Sequence, residues 1–371
     1  MKRTNVVDVA DQAGNGSVNR RRFLTTLGGG AMVLGFPFIA TSRKALAEGT
    51  DNAPLDMNAA RKEGPLLLWH GDQEADVVKF NKIFTDKTGI QVNQQRLLPG
   101  AAWPKLYAEL RAGKADVDVY DTSDLGTMDK MRQLGHLLRY EFEDLDAYDP
   151  RAVSNPRGYW ATYYINAGPI MYDPRYVKKE EAPKSLVDLL NPLWKNGIGF
   201  QNAAAGTSYG MWFVLRNILA KDYWTKLAAQ KPRGYSSSTQ IMSDIHRGDL
   251  KLGGRVSIFQ YLKSKRDKQP IEMVFPTEGT PAVNQVTAAF KTTKRPNAAK
   301  AYVKFLLSAE GQKIWNEIQG SYSARKDVNI EGLPPLSSIK LLFPTPSELA
   351  EYASEKLHSE YLKVWNNMVG L

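Results

Sequence analysis

The chain has 371 residues, of which 43% are hydrophobic and 24% charged, a formal net charge of +10 and no cysteine. This composition is typical of globular proteins, and the length predicts two domains. The lack of cysteine excludes disulfides, thiolate metal sites, a cysteine nucleophile and a lipidated N-terminal cysteine.

The first 47 residues have the composition of an export signal. A basic cluster at 20–22 precedes an apolar run at 23–40 and a small-residue site at 45–47. An uncleaved membrane anchor is the alternative, although glycines at 28–30 interrupt the run. Without this segment the net charge falls to +5, so we expect no nucleic-acid partner. The order resembles a twin-arginine signal, which the Tat translocase exports, on the residues Arg20, Arg21, Arg22, Phe23 and Leu24.

From residue 64 onward, strands and helices alternate. PLLLWH predicts a first strand, followed by a helix with Val77, Phe80 and Phe84 on one face and Gly89 at its end. IQVNQQ and VDVYDTSD predict further strands, with helices at 103–112 and near Met128. Strands that alternate with helices predict a parallel α/β sheet covered on both faces.

A second α/β unit begins after the predicted strand TYYINAGPIMYD. A short helix at 185–190, the strand GIGF, a helix at 207–220 and the strand RVSIFQYL follow. A capping box at 237–240 predicts another helix, which extends to residue 247. IEMVFPTEGTPAVNQVTAAF and helices at 298–307 and 309–319 come next, and we expect the tail from 329 to wrap the first unit.

Three segments place hydroxyl side chains where a helix is predicted to begin, after YDT, AAAGT and RGYSS. Such a hydroxyl can cap the helix by accepting from a backbone N–H group. The alternative is that the free N–H groups bind an anion, which the helix dipole favours. Both interpretations stay open for Thr207 and Ser208.

Three long phrases carry a family resemblance. LLLWHGDQEADVVKFNKIFTDKTGIQV, PKSLVDLLNPLWKNGIGF and FPTEGTPAVNQVTAAFKTTKRPNAAKAYVKFLLSAEGQKIWNEIQGSYSAR occur in this order. They resemble the periplasmic solute-binding proteins of ABC importers. The resemblance covers nearly the whole chain after residue 47, and it is closest to the branch that handles ferric iron, phosphonates, phosphosugars and polyamines.

The resemblance implies a class II fold of two α/β lobes, joined by crossing strands that act as a hinge. Lobe one would comprise residues 48–162 and 271–371, and lobe two 163–270. The implied protein is a periplasmic monomer without a cofactor, which delivers its ligand to an ABC permease.

Ligands of open α/β sheets lie beyond the carboxyl ends of the strands. On that geometry we expect lobe one to contribute Trp69, His70, Asp72, Tyr120, Thr122 and Ser123. Lobe two would contribute Thr207, Ser208, Ser236, Ser237, Ser238, Phe259 and Gln260. The crossing segments would add Tyr163 and Glu278.

Several of these residues have a purely structural alternative. His70 is either a polar loop residue or a ligand contact, Trp69 and Tyr120 are either core or stacking surfaces, and Glu278 is either a turn residue or a ligand contact. The aspartates that bracket the third strand either bind a cation or cap helices; they are Asp116, Asp118 and Asp121. The remaining histidines have no metal-site spacing, and we predict no metal site from them.

Iron-binding members of the family characteristically use adjacent tyrosines on the strand that here reads VSIFQYL. Phe259 and Gln260 stand there instead. Tyr163 and Tyr164 are adjacent on a crossing strand, where alternation predicts that they point to opposite faces. Iron binding is therefore less favoured than binding of an organic ligand.

The leading hypothesis is a non-catalytic receptor for an anionic or zwitterionic organic solute, such as a phosphonate, phosphosugar or carboxylate. Ferric iron or a polyamine is the alternative ligand, and a signalling sensor is the alternative recipient. A Tat-exported enzyme is the alternative of another class, but the sequence contains no dinucleotide glycine motif, P-loop, HExxH or GxSxG.

Overall fold

The computed structural model describes residues 53–97, 99–141, 144–203 and 206–370. The predicted export signal, with Arg20, Arg21, Phe23 and Leu24, lies outside the described residues. In the described ranges, no helix has the length and apolar character needed to cross a membrane.

The secondary structure alternates as the sequence predicts. The strands are β1 (Leu66–His70), β2 (Val92–Arg96), β3 (Val119–Thr122), β4 (Ala161–Ala167), β5 (Ile170–Tyr172), β6 (Ile198–Gln201), β7 (Arg233–Tyr235), β8 (Leu252–Gly253), β9 (Glu272–Val274), β10 (Thr280–Ala289) and β11 (Leu341–Leu342). The α-helices are α1 (Met57–Lys62), α2 (Glu74–Thr88), α3 (Pro99–Arg111), α4 (Leu125–Gln133), α5 (Gly206–Leu215), α6 (Tyr223–Ala228), α7 (Ser238–Arg247), α8 (Phe259–Arg266), α9 (Pro296–Leu307), α10 (Ala309–Gln319), α11 (Leu349–Tyr352) and α12 (Glu355–Val369). Short 3₁₀ helices lie at Leu145–Ala147, Pro150–Ala152, Val187–Leu190, Pro192–Trp194, Leu336–Ser338 and Pro346–Glu348.

The first sheet has the order β11-β10-β3-β1-β2, with β4 also paired to β10. β1 is parallel to β2 and β3, as predicted, whereas β10 is antiparallel to β3 and β4. Alternate residues of β1 point to different cores: Leu68 packs with α2 and α9 residues, and Trp69 packs with α3 and α4 residues. Both faces of this sheet are therefore covered.

The second sheet has the order β7-β6-β8-β5-β9. β6 is parallel to β7 and β8, and β5 is antiparallel to β8 and β9. Separate hydrophobic clusters pack around it. The carboxyl ends of β6, β7 and β8 meet at one edge of this sheet because the three strands run in the same direction.

Two pairs of consecutive strands connect the sheets. The predicted single strand TYYINAGPIMYD is divided: β4 belongs to the first sheet and β5 to the second, with Gly168 and Pro169 between them. The chain returns from β9 in the second sheet to β10 in the first. Gly168 is required at the change of sheet, because a Cβ atom there would lie 2.4 Å from Nε of Arg255.

Two local predictions are wrong. RVSIFQYL is mainly not a strand: β8 ends before it, and α8 begins at Phe259. The alternating apolar residues Val256 and Ile258 suggested a strand, and their N–H groups do donate to Pro169 and Ala167, but the next residues turn into the helix. The predicted helix at 207–220 begins at Gly206 and ends at Leu215.

The tail also departs from the expected path. Phe343 packs in the core of the first sheet, as expected, but the aromatic residues from Tyr352 onward pack in the core of the second. Tyr361 and Trp365 lie one turn apart on α12, and their rings contact Trp212 and Trp224, with centroids 5.9 and 5.5 Å apart. The aromatic stripe of α12 therefore carries the tail across to the second sheet.

Candidate functional site

Polar groups converge at the carboxyl edge of the second sheet. Gln201 is the last residue of β6, and its Oε1 accepts from Thr207 Oγ1 at 3.1 Å and lies 3.4 Å from Nη1 of Arg255. Arg255 follows β8, and Ser237, which follows β7, caps α7 by accepting from the N–H group of Gln240. This is the edge where ligands of open α/β sheets bind.

Arg255 is a buried cation without a carboxylate partner among the residues that the structure describes. Its side chain is 2% exposed, and its other contacts are long: Nη1 to Ser257 Oγ at 3.5 Å and Nη2 to the carbonyl of Asn166 at 3.4 Å. No described atom accepts from Nε. Burial lowers the pKa of Arg255 to about 10, so the guanidinium remains protonated near neutral pH. A buried unpaired charge is unfavourable, and a bound anion would offset that penalty.

Several hydroxyl groups are linked to this guanidinium, Ser257 directly and the others through Ser257 or Gln201. Ser257 Oγ accepts from Asn166 Nδ2 at 3.2 Å and lies 3.4 Å from Oγ of Ser238, the first residue of α7. The hydroxyls of Thr207 and Ser208 both donate to Gln201, at 3.1 Å to Oε1 and 3.3 Å to its carbonyl. Since they donate, these bonds are not helix caps.

Phe259 and Gln260 lie at the start of α8. Gln260 is buried and donates to Thr239 Oγ1 at 2.8 Å, which ties α8 to α7. Phe259 lies beside Gly320 at the end of α10, where a Cβ atom on the glycine would be 3.3 Å from Cβ of Phe259. Ser236 Oγ donates to Gln240 Oε1 at 2.8 Å, so this hydroxyl also has a partner within the protein.

The predicted residues at the edge of the first sheet are mainly buried. Trp69 and Tyr120 belong to its core, which fits the core interpretation. His70 is fully buried, and neither ring nitrogen has a hydrogen-bond partner among the described residues, although Nε2 lies 3.3 Å from a Glu74 carboxylate oxygen. Burial lowers the pKa of His70 more than the neighbouring acids raise it. Thr122 Oγ1 accepts from the N–H group of Asp124 at 3.1 Å.

Asp72 joins the first strand-to-helix loop to both strands that cross between the sheets. Its carboxylate accepts from the hydroxyls of Tyr163 and Tyr164, the latter at 2.8 Å, and from Gln285 Nε2 at 2.8 Å. The prediction that the two tyrosines point to opposite faces is wrong. A β-bulge is the reason: Gln285 pairs with Tyr164 and Val286 with Thr162, so Tyr163 is an extra residue that resets the alternation.

The tyrosine pair is unsuited to act as phenolates in this arrangement. Burial, followed by the charge of Asp72, raises the pKa of Tyr163 and Tyr164 well above the usual value. Both hydroxyls therefore stay protonated and donate hydrogen bonds to Asp72.

The other predicted acidic residues have separate positions. Asp118 pairs with Arg295 at 3.2 Å and accepts from the N–H group of Leu67 at 2.8 Å, so it stabilises the fold. Asp116 lies 3.7 Å from the same arginine. Asp121 is buried, and burial raises its pKa well above the usual value. Across the described ranges, no cluster of three or more histidine and acidic side chains is arranged to hold a metal ion.

Glu278 stabilises a turn. Its carboxylate accepts from the N–H groups of Leu186 and Val187 at 3.0 and 3.2 Å, at the start of the 3₁₀ helix Val187–Leu190. This position corresponds to the interpretation of Glu278 as a turn residue, not to the one as a ligand contact.

Ser123 lies where the two sheets approach each other. A Cβ atom on Gly206, at the start of α5, would be 4.0 Å from Ser123 Oγ. Ser123 also lines a small cavity together with Asn284 of β10. Three of the predicted ligand-binding residues thus lie in the region between the sheets: Ser123, Thr207 and Ser208.

The site residues predicted from the sequence do not include Arg255, Gln201, Asn166, Ser257 and Asn284. The available signal for Arg255 was a charged residue inside the apolar stretch GGRVSI.

The sequence matches a known protein family. The family described as bacterial extracellular solute-binding protein matches residues 79–333. The chain is 20% identical over 220 residues to the major ferric iron-binding protein of Neisseria meningitidis, and the match spans 55% of this chain and 63% of that protein.

Two solved structures show the same fold. Iron-bound HitA from Pseudomonas aeruginosa is 24% identical, with a TM-score of 0.71, over 83% of this chain and 100% of that one. The periplasmic binding protein AfuA from Actinobacillus pleuropneumoniae, with exogenous fructose-6-phosphate bound, is 22% identical, with a TM-score of 0.68, over 83% and 99%. The predicted two-lobe α/β fold is confirmed, and so is the predicted periplasmic location. The chain belongs to the family of bacterial extracellular solute-binding proteins.

Proposed function

We propose that this protein captures a small organic anion between its two lobes and delivers it to an ABC permease. The observation that carries the proposal is Arg255, a cation that is 2% exposed and has no described carboxylate partner. The ligand's anionic group, a phosphonate, phosphate or carboxylate, would accept from the guanidinium and from the hydroxyls of Ser238 and Ser257. Charge-assisted bonds of this kind are short and strong.

The same geometry argues against iron. A hard trivalent cation needs several anionic oxygen ligands, whereas this edge presents a cation and neutral hydroxyls. The adjacent tyrosines are protonated and occupied by Asp72. Most of the similar structures are of proteins named for iron, whereas AfuA has fructose-6-phosphate bound, and the charge of that second ligand is the one that suits Arg255.

The protein acts as a receptor, so its ligand shifts the population of open forms toward a closed one. We infer a monomer without a cofactor, exported through the Tat translocase on the pattern at residues 20–24. Delivery to a sensor instead of a permease would use the same site.

Isothermal titration calorimetry tests the proposal on the protein without its export signal. The panel contains phosphonates, phosphosugars, carboxylates, ferric citrate and putrescine. We expect at least one organic anion to bind, and Arg255→Met to weaken it by about 100-fold or more, because a charged partner of a buried anion is lost. Arg247→Met, at an exposed arginine on α7, is the matched control and leaves binding unchanged. Binding of ferric iron or putrescine with no binding of any anion would refute the proposal.

A further inference from the structure

The C-terminal tail makes a further connection between the lobes, in addition to the crossing strands. Phe343 packs in the core of the first sheet, and α12 packs in the core of the second. The short helix α11 lies between these two points of the chain. Leu349, at its start, is buried in a cluster with residues of α3 and α4, whereas Tyr352, at its end, is buried in a cluster with residues of α5. α11 therefore contributes to the cores of both lobes.

α11 packs against the first lobe at a glycine. A Cβ atom on Gly126 of α4 would lie 3.1 Å from Cβ of Ala353, the residue after α11, and 3.3 Å from Cδ1 of Tyr352. Carbon atoms in ordinary van der Waals contact are about 3.5 to 4.0 Å apart. The close approach of α4 and α11 therefore depends on the absence of a side chain at Gly126.

Polar bonds and aromatic rings attach α11 to the second lobe. The hydroxyl of Tyr209, on α5, donates to the carbonyl of Tyr352 at 2.7 Å, and the two ring centroids are 4.9 Å apart. Phe213, one turn later, meets the Tyr352 ring edge-on, with centroids also 4.9 Å apart. Arg216, which follows α5, pairs with Glu351 at 2.7 Å. α11 is therefore bonded to the second lobe and packed against the first.

α11 also lies close to the strand that returns to the first sheet. A Cβ atom on Gly210 of α5 would be 3.3 Å from Cγ2 of Val283, on β10, and 3.5 Å from the hydroxyl oxygen of Tyr352. α5, β10 and α11 therefore meet at one place, a short distance along β10 from the crossing between β9 and β10. Because α4 and α5 belong to different lobes, any rotation about the crossing strands moves them relative to each other, and the helix between them must leave one of them or restrict the rotation.

We propose that α11 limits how far the two lobes separate. While Tyr352 and Ala353 stay packed on Gly126, the attachment of α11 to α5 keeps the second lobe close to α4. When this packing is lost, only the crossing strands restrict the separation, and the range of open forms widens. The inference concerns the protein without ligand, so it does not depend on which solute is bound.

Distances between pairs of spin labels measure this separation in the ligand-free protein. The chain contains no cysteine, so two introduced cysteines are the only sites that react with the label. One pair is Lys82→Cys with Lys226→Cys and the other is Ala108→Cys with Lys226→Cys, at exposed positions on opposite lobes. Gly126→Val adds a side chain where α11 packs on α4. We expect the distance distribution to become about twofold wider, toward longer distances, for at least one pair.

A second variant releases α11 from the other lobe without adding volume. Tyr209→Phe combined with Glu351→Gln removes the hydrogen bond and the ion pair, and should widen the same distribution; it decides the question if Gly126→Val does not fold. Val77→Ala is the control, because it destabilises the α2 core of the first lobe and should leave the distribution unchanged. A folded α11 variant with an unchanged distribution, or an equal widening in Val77→Ala, would overturn this inference.

Discussion

The indole Nε1 of Trp365 donates to the carbonyl of Gln201 at 2.8 Å, so a residue of α12 holds the end of β6. One turn earlier, the hydroxyl of Tyr361 donates to the carbonyl of Ala203 at 3.0 Å. Because the side chain of Gln201 contacts both Arg255 and Thr207, α12 positions the segment on which the candidate anion site depends.

Trp365→Phe should loosen this segment. The substitution removes the N–H donor and keeps an aromatic ring, so we expect amide hydrogens at 201–203 and 206–208 to exchange about three- to tenfold faster. Hydrogen-exchange mass spectrometry measures this. Trp224→Phe removes similar ring area from the same core and leaves the bond to Gln201 intact. Equal exchange rates in the two variants would contradict a positioning role.

Arg255→Met should stabilise the ligand-free protein. The unpaired guanidinium is buried at an energetic cost, and an apolar side chain of similar length avoids that cost. We expect the free energy of unfolding to rise by about 1 to 2 kcal/mol. Urea unfolding of the ligand-free protein is the measurement, with Arg247→Met as the comparison. A loss of stability would mean that Arg255 serves the fold instead of a ligand.

Asp72→Asn should destabilise the protein. Its carboxylate accepts from Tyr163, Tyr164 and Gln285, and an asparagine would present an N–H₂ group to some of these donors. We expect a loss of about 2 to 3 kcal/mol in urea unfolding. Asp86→Asn, at an exposed aspartate paired with Lys82, should change stability by less than about 0.5 kcal/mol. Comparable losses in both variants would show that the buried network contributes little.

Asp121 should make stability depend on pH. Burial raises the pKa of Asp121 in the folded protein well above 3.8, the ordinary value for an aspartate and the one expected in the unfolded chain. Between these two pKa values the folded state binds more protons than the unfolded state, so stability falls as pH rises through that window. Asp121→Asn mimics the protonated acid and removes this loss. We therefore expect the variant to be more stable than wild type at pH 7 and nearly equal to it below the unfolded pKa, as measured by thermal unfolding at both pH values. A variant whose advantage is the same at acid and neutral pH would contradict the assignment.

Much of the first lobe could be predicted because its signals are local. The apolar run that forms β1, the apolar face of α2 and the left-handed Gly89 at its end all follow from the order of neighbouring residues. The predicted Ser237 cap of α7 is confirmed for the same reason.

The site was harder to predict because its features depend on distant partners. The position of Tyr163 follows from the register between β4 and β10, more than 100 residues apart, and a one-residue bulge is invisible to a period-two pattern. The apolar neighbours of Arg255 favoured a strand. That its guanidinium has no carboxylate partner among the described residues is a property of the folded chain, which the sequence pattern does not reveal. Thr207 and Ser208 were predicted to lie at the site, but their bonds to Gln201 match neither of the two interpretations.

The crossing of the tail has a consequence for biosynthesis. The hydrophobic cluster of the second lobe combines residues from Ile170 onward with Tyr361, Trp365 and Met368. When the ribosome has translated β5 through α8, the hydrophobic core of the second lobe is therefore still missing the residues that α12 contributes. Since domains form as units once their residues are available, this lobe can acquire its native structure only after translation has passed residue 369.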